Sequence, residues 1–319
     1  MNVQEIKSST ALKRRFCKDC NIPMGVYQDP YFTERLITLD LFYNTLAKWS
    51  DFVDMLSNVN SSQDYFEYYN TVKDRMINRI KDNASYQTFI QSDYRLPIDS
   101  IGERNLYILD NDDKAFISID MKQANFSALN HFSKDIFNSD TWEIFVKQFT
   151  SFPHIINSKY IRQVVLGACN PKKQIQYERN LMYKLYYHIV HSIGDKTLKA
   201  YSINADEIVF RVDDVHIPMN RFREIISNCP DNIGSLVRVE MFTLEKVGDF
   251  GWIKHIYDDV ATVKFKCFNA ETFHQIILHY LGQPIKDNDL VFEYNGRLAK
   301  YLEPIENPFN IEQGDDKNT

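Results

Sequence analysis

The chain has 319 residues, of which 44% are hydrophobic and 14% aromatic, enough to build a sizeable core in one large domain or two unequal ones. Its net charge of −6 argues against a protein that coats nucleic acid through a uniformly basic surface, although a local basic groove is compatible with that value. No apolar run reaches the length of a transmembrane helix, and the N-terminus lacks the apolar stretch of a secretory signal. We therefore expect an intracellular protein that does not bind membranes.

The first 94 residues are predicted to be largely helical. Met1 to Met24 is polar and basic, and we expect it to form a loosely ordered lead-in. From Thr33 to Gln91, apolar residues recur at spacings of three and four, which is typical of two or three amphipathic helices. We assign residues 1–94 to an N-terminal helical region.

The centre of the chain alternates predicted strands with predicted helices. The strand Ala115–Ile119 precedes a helix over 123–137, and the turn Asn204–Asp206 joins two strands into a hairpin. Further helices and strands are predicted, in chain order, at 140–153, 175–191, 199–203, 207–212, 220–228 and 236–244. This order predicts an α+β domain with an antiparallel sheet over residues 95–256.

Residues 257–319 are predicted to form a small α/β appendage. A strand over Val263–Phe268, a helix over Ala270–Tyr280 and a strand with a turn over Asp289–Arg297 account for most of it. Because acidic residues outnumber basic ones here, a protein partner or a self-contact is favoured over DNA binding. Residues 307–319 are expected to be disordered.

Asp120 ends the first predicted strand of the central region, and the residues after it turn into a helix. Its carboxylate should therefore lie at the edge of the sheet and face a cleft. Carboxylate oxygens are the hard ligands that Mg²⁺ prefers, and one or two carboxylates per ion suffice because water and substrate phosphates complete the coordination. A role as the N-cap of the following helix is the alternative explanation of an Asp at this position.

Asp206 and Glu207 occupy the tip of the predicted hairpin, where turn preference alone would explain an Asp. Apolar stretches on both sides, Ala200–Ile203 and Ile208–Phe210, indicate that this tip is buried, and burial makes two acids costly. A bound divalent cation would offset that cost. Together with Asp120, the pair predicts a two-metal site for phosphoryl transfer, with Mg²⁺ or Mn²⁺ as the cofactor.

These two motifs resemble those of the family-A DNA polymerases, the enzymes like bacterial polymerase I. The first palm motif of that family has Gln three residues and Glu five residues after an Asp, and this chain has Asp120, Gln123 and Asn125. The other palm motif is His-Asp-Glu followed by apolar residues, and the similar segment here is Ala205–Val212.

A third similarity lies at the end of the central region. Members of the family close their catalytic domain with a strand, a Gly, a Trp and a His. This chain has the predicted strand Val237–Glu240, then Gly248, Trp252 and His255. Three similarities in the family's order are more specific than any one of them.

The resemblance implies a palm domain over residues 95–256 that follows a thumb-like helical region, 1–94. The fingers must be strongly reduced, because far fewer residues separate the two palm motifs here than in the family. It also implies that Asp120 and Asp206 hold two metal ions, with Glu207 as a peripheral ligand or as the holder of a water molecule.

Three positions next to the acids bear on nucleotide binding. Gln123 matches the family, and we carry it over with Asn125 as a nucleotide-binding position. Asn125 stands where the family has the Glu that helps to exclude ribonucleotides, so sugar discrimination is expected to be relaxed or handled elsewhere. Ala205 replaces a His that helps to place the primer end, which puts primer engagement in question.

Basic residues between the two motifs are candidates for binding phosphate. The family's fingers helix carries an Arg and a Lys that hold the incoming triphosphate, and Lys159 and Arg162 resemble that pair. The segment Asn170–Gln174, with Lys172 and Lys173, is similar either to part of that helix or to the stretch that opens the helix against primer and template. Under both alignments these cations suit phosphate oxygens, and a solvated basic loop is the alternative.

The sequence thus predicts magnesium-dependent nucleotidyl transfer by a DNA- or RNA-polymerase-like enzyme or by a template-independent nucleotidyltransferase. Its partners would be nucleoside triphosphates and nucleic acid, in the cytoplasm or at a site of replication or transcription. The alternative is a catalytically inactive polymerase-like subunit that binds nucleic acid or, through its appendage, a partner protein. Retention of all three acids favours the enzyme, and the missing fingers favour the subunit.

Overall fold

The computed structural model of the chain describes residues 1–94, 102–195, 197–257, 261–307 and 309, which form an α+β fold. The described strands build an antiparallel sheet of six strands and a separate two-stranded hairpin. Among the described helices, none combines the length and the apolar composition needed to cross a bilayer. The α+β class and the antiparallel sheet that the sequence predicted are confirmed.

The N-terminal part of the chain consists of helices whose apolar sides pack on one another. They are α1 (Val3–Ser8), α2 (Thr10–Asp19), α3 (Tyr31–Tyr43), α4 (Thr45–Leu56), α5 (Ser62–Lys81) and α6 (Ala84–Gln91). Aromatic rings fill the space between them: the ring of Phe16 lies 4.9 Å from that of Trp49 and 5.3 Å from that of Phe52, measured between centroids. Side-chain caps define several starts, as where Ser61 accepts a hydrogen bond from the Asp64 amide.

The remainder of the chain contains all the strands. The elements are β1 (Ala115–Met121), α7 (Ala124–Phe132), α8 (Trp142–Lys147), α9 (Pro153–Ile156), α10 (Lys159–Gly167), α11 (Pro171–Ile193), β2 (Ser202–Ile203), β3 (Glu207–Arg211), α12 (Met219–Ser227), β4 (Val237–Val247), β5 (Gly251–Ile256), β6 (Thr262–Lys266), α13 (Phe273–Tyr280), β7 (Val291–Tyr294) and β8 (Arg297–Lys300). Short 3-10 helices lie at Leu109–Asn111, Lys134–Ile136, Val212–Asp214, Pro230–Leu236 and Asp287–Leu290.

The large sheet has the strand order β2-β3-β1-β4-β5-β6, so β1 is hydrogen-bonded on both sides. Side chains alternate along β1 between the two faces of the sheet. Ile117, Ile119 and Met121 pack with apolar residues of α7, α11 and α12, which cover one face. Ser118 and Asp120 therefore belong to the opposite face, which we call the open face.

Apolar packing on the open face is confined to one end of it. Phe116, Val209, Phe242 and Trp252 form a small cluster there, and Leu106 and Tyr107 from the segment before β1 pack against it; together they are the apolar end of the open face. The other end carries charged side chains. The sheet is therefore fixed to its helical layer on one side and leaves polar chemistry on the other.

The N-terminal helices share one apolar core with α8, α10 and α13. Buried Arg35 of α3 ties the C-terminal segment to this core, donating to the carbonyl oxygens of Asn288 (2.7 Å) and Val291 (3.2 Å) and pairing with Asp289 at 3.2 Å. Strand β6 pairs with β5 in the large sheet. The segment predicted as an appendage is thus packed against both the helices and the sheet.

The predicted lead-in over Met1–Met24 differs from the structure. Helices α1 and α2 form there because Ile6 of α1 and, four residues apart on α2, Leu12 and Phe16 are fully buried in the N-terminal core. With Pro97 and Gly102 as breakers, the sequence predicts an irregular segment over 94–111. Residues 95–101 of that segment lie outside the described residues. So does nearly all of the disordered tail expected over 307–319.

Gly234 lies where the segment before β4 passes close to α12, and replacing it should destabilise the protein. A Cβ atom at this position would lie 2.0 Å from the carbonyl oxygen of Ile226, so the backbone would have to move. We expect Gly234→Ala to lower the free energy of unfolding by about 3 kcal/mol, measured by urea denaturation.

Gly167→Ala is the matched control, because a Cβ atom at Gly167 meets no atom within 4 Å and the residue ends helix α10. We expect this substitution to change the free energy of unfolding by less than about 1 kcal/mol. Equal destabilisation by the two substitutions would contradict the close packing of the Gly234 backbone on α12.

Candidate functional site

The structure brings Asp120, Asp206 and Glu207 together at one edge of the sheet. Asp120 of β1 lies directly opposite Glu207 of β3 in the antiparallel register. The Met121 amide donates to the Asp206 carbonyl oxygen at 2.8 Å, so the Asp120–Glu207 pair is of the close, non-hydrogen-bonded type, with Cα atoms about 4.5 Å apart. Acids far apart in sequence are therefore neighbours because β1 and β3 pair.

Asp120 does not cap a helix, and the acids at the hairpin tip do not form its turn, so neither local role explains these carboxylates. The N-cap residue of α7 is Gln123, with a left-handed backbone and no side-chain cap bond, so Asp120 does not cap the helix. The hairpin tip is closed by Asn204, whose Oδ1 accepts from the amides of Asp206 (3.0 Å) and Glu207 (2.7 Å). The carboxylates at the tip are thus not needed to form the turn.

Burial and mutual repulsion disfavour the ionised forms of the hairpin acids. The pKa of Asp206 is raised by burial and then by the charge of Asp120. Burial also raises the pKa of Glu207; Lys254 counteracts this, whereas Asp120 and Asp206 add to it. The hairpin tip therefore carries negative potential that its surroundings do not fully balance, and a cation placed there would be stabilised.

Arg238 occupies the third position of the row, opposite Asp120 on β4. Its Nη2 donates to Asp120 Oδ2, and its Nε lies 3.4 Å from Glu240 Oε1. Asp120 thus already has a cationic partner from the protein. The row across the open face thus consists of two neighbouring carboxylates, Glu207 and Asp120, followed by the guanidinium of Arg238.

A fourth carboxyl group, Glu178 of α11, faces this region and was missed from the sequence. Its side chain is 4% exposed, and its Oε1 is buried with no hydrogen-bond partner among the described residues. Burial and then the charge of Asp206 raise its pKa to about 7. The signal in the sequence was an acid on the buried stripe of a helix, four residues after buried Gln174.

The predicted nucleotide-binding positions after β1 are held in different ways. Gln123 donates to Glu143 Oε1 at 2.8 Å, which links the start of α7 to α8. Asn125 is half-buried. Burial lowers the pKa of Arg162, and the charge of Glu143 counteracts that effect. Gln123, Glu143 and Arg162 are therefore near one another, through a glutamate that sequence reasoning did not include.

The predicted basic residues divide into two groups. Lys159, the first residue of α10, is exposed, and its positive charge counteracts the rise in the pKa of Asp206. Lys173 donates to the Ser92 carbonyl oxygen at 2.6 Å and lies over the ring of Tyr94, so it fastens α11 to the end of the N-terminal region. Lys172 is exposed, and no contact with the acids is seen for it or for Lys173 in the described part of the chain.

Further cations on the open face come from β5 and β6 and were not predicted as site residues. They are Lys254, Lys264 and Lys266. The alternation of Lys with apolar residues along β6 was visible in the sequence, but the segment was assigned to an appendage rather than to the main sheet.

A metal site is not preformed in the described residues: no group of three or more His, Cys, Asp or Glu side chains there is arranged to hold an ion. The donor chemistry is nevertheless suitable, since Asp120, Asp206 and Glu207 offer hard oxygen ligands at adjacent positions. Mg²⁺ commonly binds proteins through one or two carboxylates and completes its shell with water and substrate phosphates.

Comparisons with protein families, with curated proteins and with solved structures found no match to this chain. The resemblance to family-A polymerases therefore rests on the motifs quoted above. Function has to be argued from the geometry and chemistry of the site.

The raised pKa of Glu178 predicts a pH-dependent stability difference. In the unfolded chain a Glu ionises near its ordinary pKa of 4.5, whereas in the folded protein it holds its proton up to about 7. The protonated form of Glu178 therefore contributes to the free energy of unfolding; this contribution is fully present below pH 4.5 and is lost as the pH rises through 7. Glu178→Gln removes this loss of stability because Gln does not ionise. We therefore expect the free energy of unfolding of the variant, relative to wild type, to increase by about 2 kcal/mol from pH 5 to pH 8. Urea denaturation in EDTA measures it.

Glu224→Gln provides the control, because Glu224 lies on α12 with an exposed side chain paired to Arg221. Its stability relative to wild type should not change in the same way with pH. A constant difference between Glu178→Gln and wild type across this range would show that Glu178 ionises normally in the folded protein.

Proposed function

We propose that this chain is a magnesium-dependent nucleotidyltransferase of the polymerase type, built on a compact palm-like sheet. The observation that carries the proposal is the register of β1 and β3, which sets Asp120 beside Glu207 and Asp206 on adjacent strands. Two carboxylates at neighbouring strand ends are the donor set that two-metal phosphoryl transfer uses. The motif similarities quoted above point to the same chemistry.

Bound divalent ions would supply Lewis-acid activation of a 3′-hydroxyl and charge neutralisation at the triphosphate. Asp120 and Asp206 would hold them, with Glu207 at the periphery. The protein itself would contribute by holding these carboxylates in fixed positions, because strands position side chains more precisely than loops do. Asn204 fixes the backbone of the hairpin tip through two hydrogen bonds.

Asp120→Asn and Asp206→Asn should abolish nucleotide incorporation while leaving the fold intact. Each substitution removes a charged metal ligand and keeps the side-chain shape, so we expect a loss on the order of a thousandfold. The measurement is incorporation of labelled nucleoside triphosphates with Mg²⁺ or Mn²⁺, on primed and unprimed DNA and RNA. Circular dichroism and thermal unfolding check the fold.

Asp213→Asn is the matched control, because Asp213 is exposed in the 3-10 turn that follows β3, away from the hairpin tip. It should retain the wild-type rate. If wild-type protein incorporates no nucleotide on any of these substrates with either metal, or if the three variants lose activity equally, the proposal fails.

The second candidate function, an inactive polymerase-like subunit, is favoured by one contact. Arg238 pairs with Asp120 and thus takes the place that a metal ion would need. In such a subunit Arg238 would be a permanent counter-ion, and the acids would serve folding rather than catalysis. Its partner would be nucleic acid or another protein.

Manganese binding separates the two candidate functions. If Arg238 is a permanent counter-ion, wild-type protein should bind no Mn²⁺ at Asp120, and Arg238→Gln should create a site, because it leaves that carboxylate unpaired. If the enzyme proposal holds, wild-type protein binds Mn²⁺, and Asp206→Asn weakens binding at least about tenfold. Electron paramagnetic resonance of free Mn²⁺ during titration measures both outcomes.

A further inference from the structure

Arg238 and Asp120 form an ion pair within the row of charges on the open face. They lie directly opposite each other on β4 and β1, and Arg238 Nη2 donates to Asp120 Oδ2. On the other side of β1, Glu207 of β3 lies opposite the same Asp120. One guanidinium thus accompanies two neighbouring carboxylates, and its partner is a carboxylate that the proposed function assigns to a metal ion.

This ion pair is accessible to solvent. The side chain of Arg238 is 51% exposed and that of Asp120 is 22% exposed. Exposed ion pairs contribute little to stability, because water solvates both charges when they separate. Arg238 can therefore leave Asp120 at a small cost in free energy, provided that another cation takes its place beside the carboxylate.

Glu240 is the other carboxylate close to Arg238, and two lysines already bind it. Glu240 Oε1 accepts a hydrogen bond from Lys264 at 2.7 Å, and Glu240 Oε2 accepts one from Lys254 at 2.9 Å. Arg238 Nε lies 3.4 Å from Glu240 Oε1, beyond the usual length of an N–H···O hydrogen bond. A guanidinium displaced from Asp120 would therefore lack a full anionic partner among the described residues.

Phosphate is the anion that suits a displaced guanidinium. Arg presents a planar fork of N–H donors that can bind two phosphate oxygens at once. Carboxylate oxygens such as those of Asp120 are in turn preferred ligands of Mg²⁺ and Mn²⁺. The ion pair can therefore exchange partners with a metal–polyphosphate complex: the carboxylate takes the cation, the guanidinium takes the anion, and neither side chain is left unpaired.

We propose that Arg238 binds the polyphosphate of a metal-bound nucleoside triphosphate and holds the Asp120 carboxylate when that ligand is absent. The identity of the ligand rests on the proposed function. Directly opposite residues on antiparallel strands have Cβ atoms about 5 Å apart, so a phosphate on a metal ion at Asp120 lies within reach of Arg238. The site accepts cation and anion as one unit and binds either of them alone less well.

A nucleotide suits this pair better than a nucleic-acid backbone does. A triphosphate brings its metal ion with it, whereas a backbone is bound through cations along a track of several nucleotides. Arg238 is a single guanidinium beside two acids in the described row, not part of such a track. The shared chemistry is the phosphate anion, so the test includes both sources.

Inorganic tripolyphosphate tests the exchange of partners in wild-type protein. The ligands are Mn²⁺ alone, tripolyphosphate alone in EDTA, and the preformed Mn²⁺–tripolyphosphate complex, each titrated by calorimetry. We expect the complex to bind at least about tenfold more tightly than either component, because only the complex supplies a partner for both charges. Equal affinities for the complex and for Mn²⁺ alone would contradict the inference.

Arg238→Gln should raise the affinity for Mn²⁺ and abolish the gain that tripolyphosphate brings. Mn²⁺ alone should bind about tenfold more tightly than it does to wild type, because no guanidinium competes for Asp120. The complex should bind no more tightly than Mn²⁺ alone. Arg238→Lys keeps the charge but loses the fork, so it should retain only part of the gain. Unchanged affinities, or a parallel loss of both ligands as expected of a merely structural residue, overturn the proposal.

Arg221→Gln is the matched control. Arg221 forms the same kind of exposed ion pair, with Glu224 at 2.8 Å, but on α12, which covers the opposite face of the sheet. This variant should bind Mn²⁺ and the complex as wild type does. Because both ion pairs are exposed, we expect each glutamine variant to shift the melting temperature by no more than about 3 °C.

The outcome separates this inference from the proposed function. An Arg238-dependent gain with tripolyphosphate, in a protein that incorporates no nucleotide, leaves the exchange standing and removes the enzyme. Incorporation with an unchanged KM for nucleotide in Arg238→Gln does the reverse. If a single-stranded oligodeoxynucleotide with Mn²⁺ shows the Arg238-dependent gain and tripolyphosphate does not, the phosphate belongs to a nucleic-acid backbone and the assignment to nucleotide is wrong.

Discussion

The pairing of β1 with strands on both of its sides is the constraint on which the rest of the site depends. β1 forms a ladder with β3 on one side and with β4 on the other, and its inward residues are locked against three helices. A slip of one residue would move Ile117 and Ile119 out of the apolar layer and turn Asp120 into it. The burial of the helix-facing side chains therefore determines where the carboxylate points.

The open face separates opposite charges along the sheet rather than mixing them. Acids concentrate on β1 and β3, whereas lysines concentrate on β5 and β6. Glu240 and Arg238 on β4 lie between the two groups and connect them. Burial removes water from each charged side chain, and the ion pairs in the structure offset this desolvation free energy only in part. A divalent cation beside the acids would complement their charge, in keeping with the proposed function.

Much of the fold followed from the sequence, because local patterns and tertiary packing agreed there. The strand at Ala115–Ile119 was predicted within two residues of β1, and the helix over 175–191 was predicted inside the longer α11. The hydrophobic periodicity of a mainly polar segment does not reveal that helices distant in the sequence will pack on it and bury its few apolar residues. For that reason α1 and α2 were missed: their polar sides dominate the composition of Met1–Met24, whereas their few apolar residues decide the packing.

The candidate site was only partly predictable for a similar reason. Asp120, Asp206 and Glu207 stood out because each interrupts an apolar run, and that signal is local. The local mark of Glu178 was only its place on the buried stripe of α11, and the nearby charge of Asp206 could not be foreseen from it. Nothing local marked Arg238, which matters because β4 lies beside β1. A charge count over the last part of the chain likewise gave an acidic average and hid Lys264 and Lys266.

The addition of β6 to the sheet bears on how so compact a chain could handle nucleotides. A separate fingers domain must close over its substrate, and closure costs ordering at each turnover. Cations carried on a strand are held in place by the ladder, as Lys264 of β6 is held opposite Lys254 of β5. Such a site would distinguish correct from incorrect nucleotides less well, because it could not use closure to reject an incorrect one. Under the proposed function, a sheet of this kind would suit a nucleotidyltransferase whose product tolerates errors or needs no template.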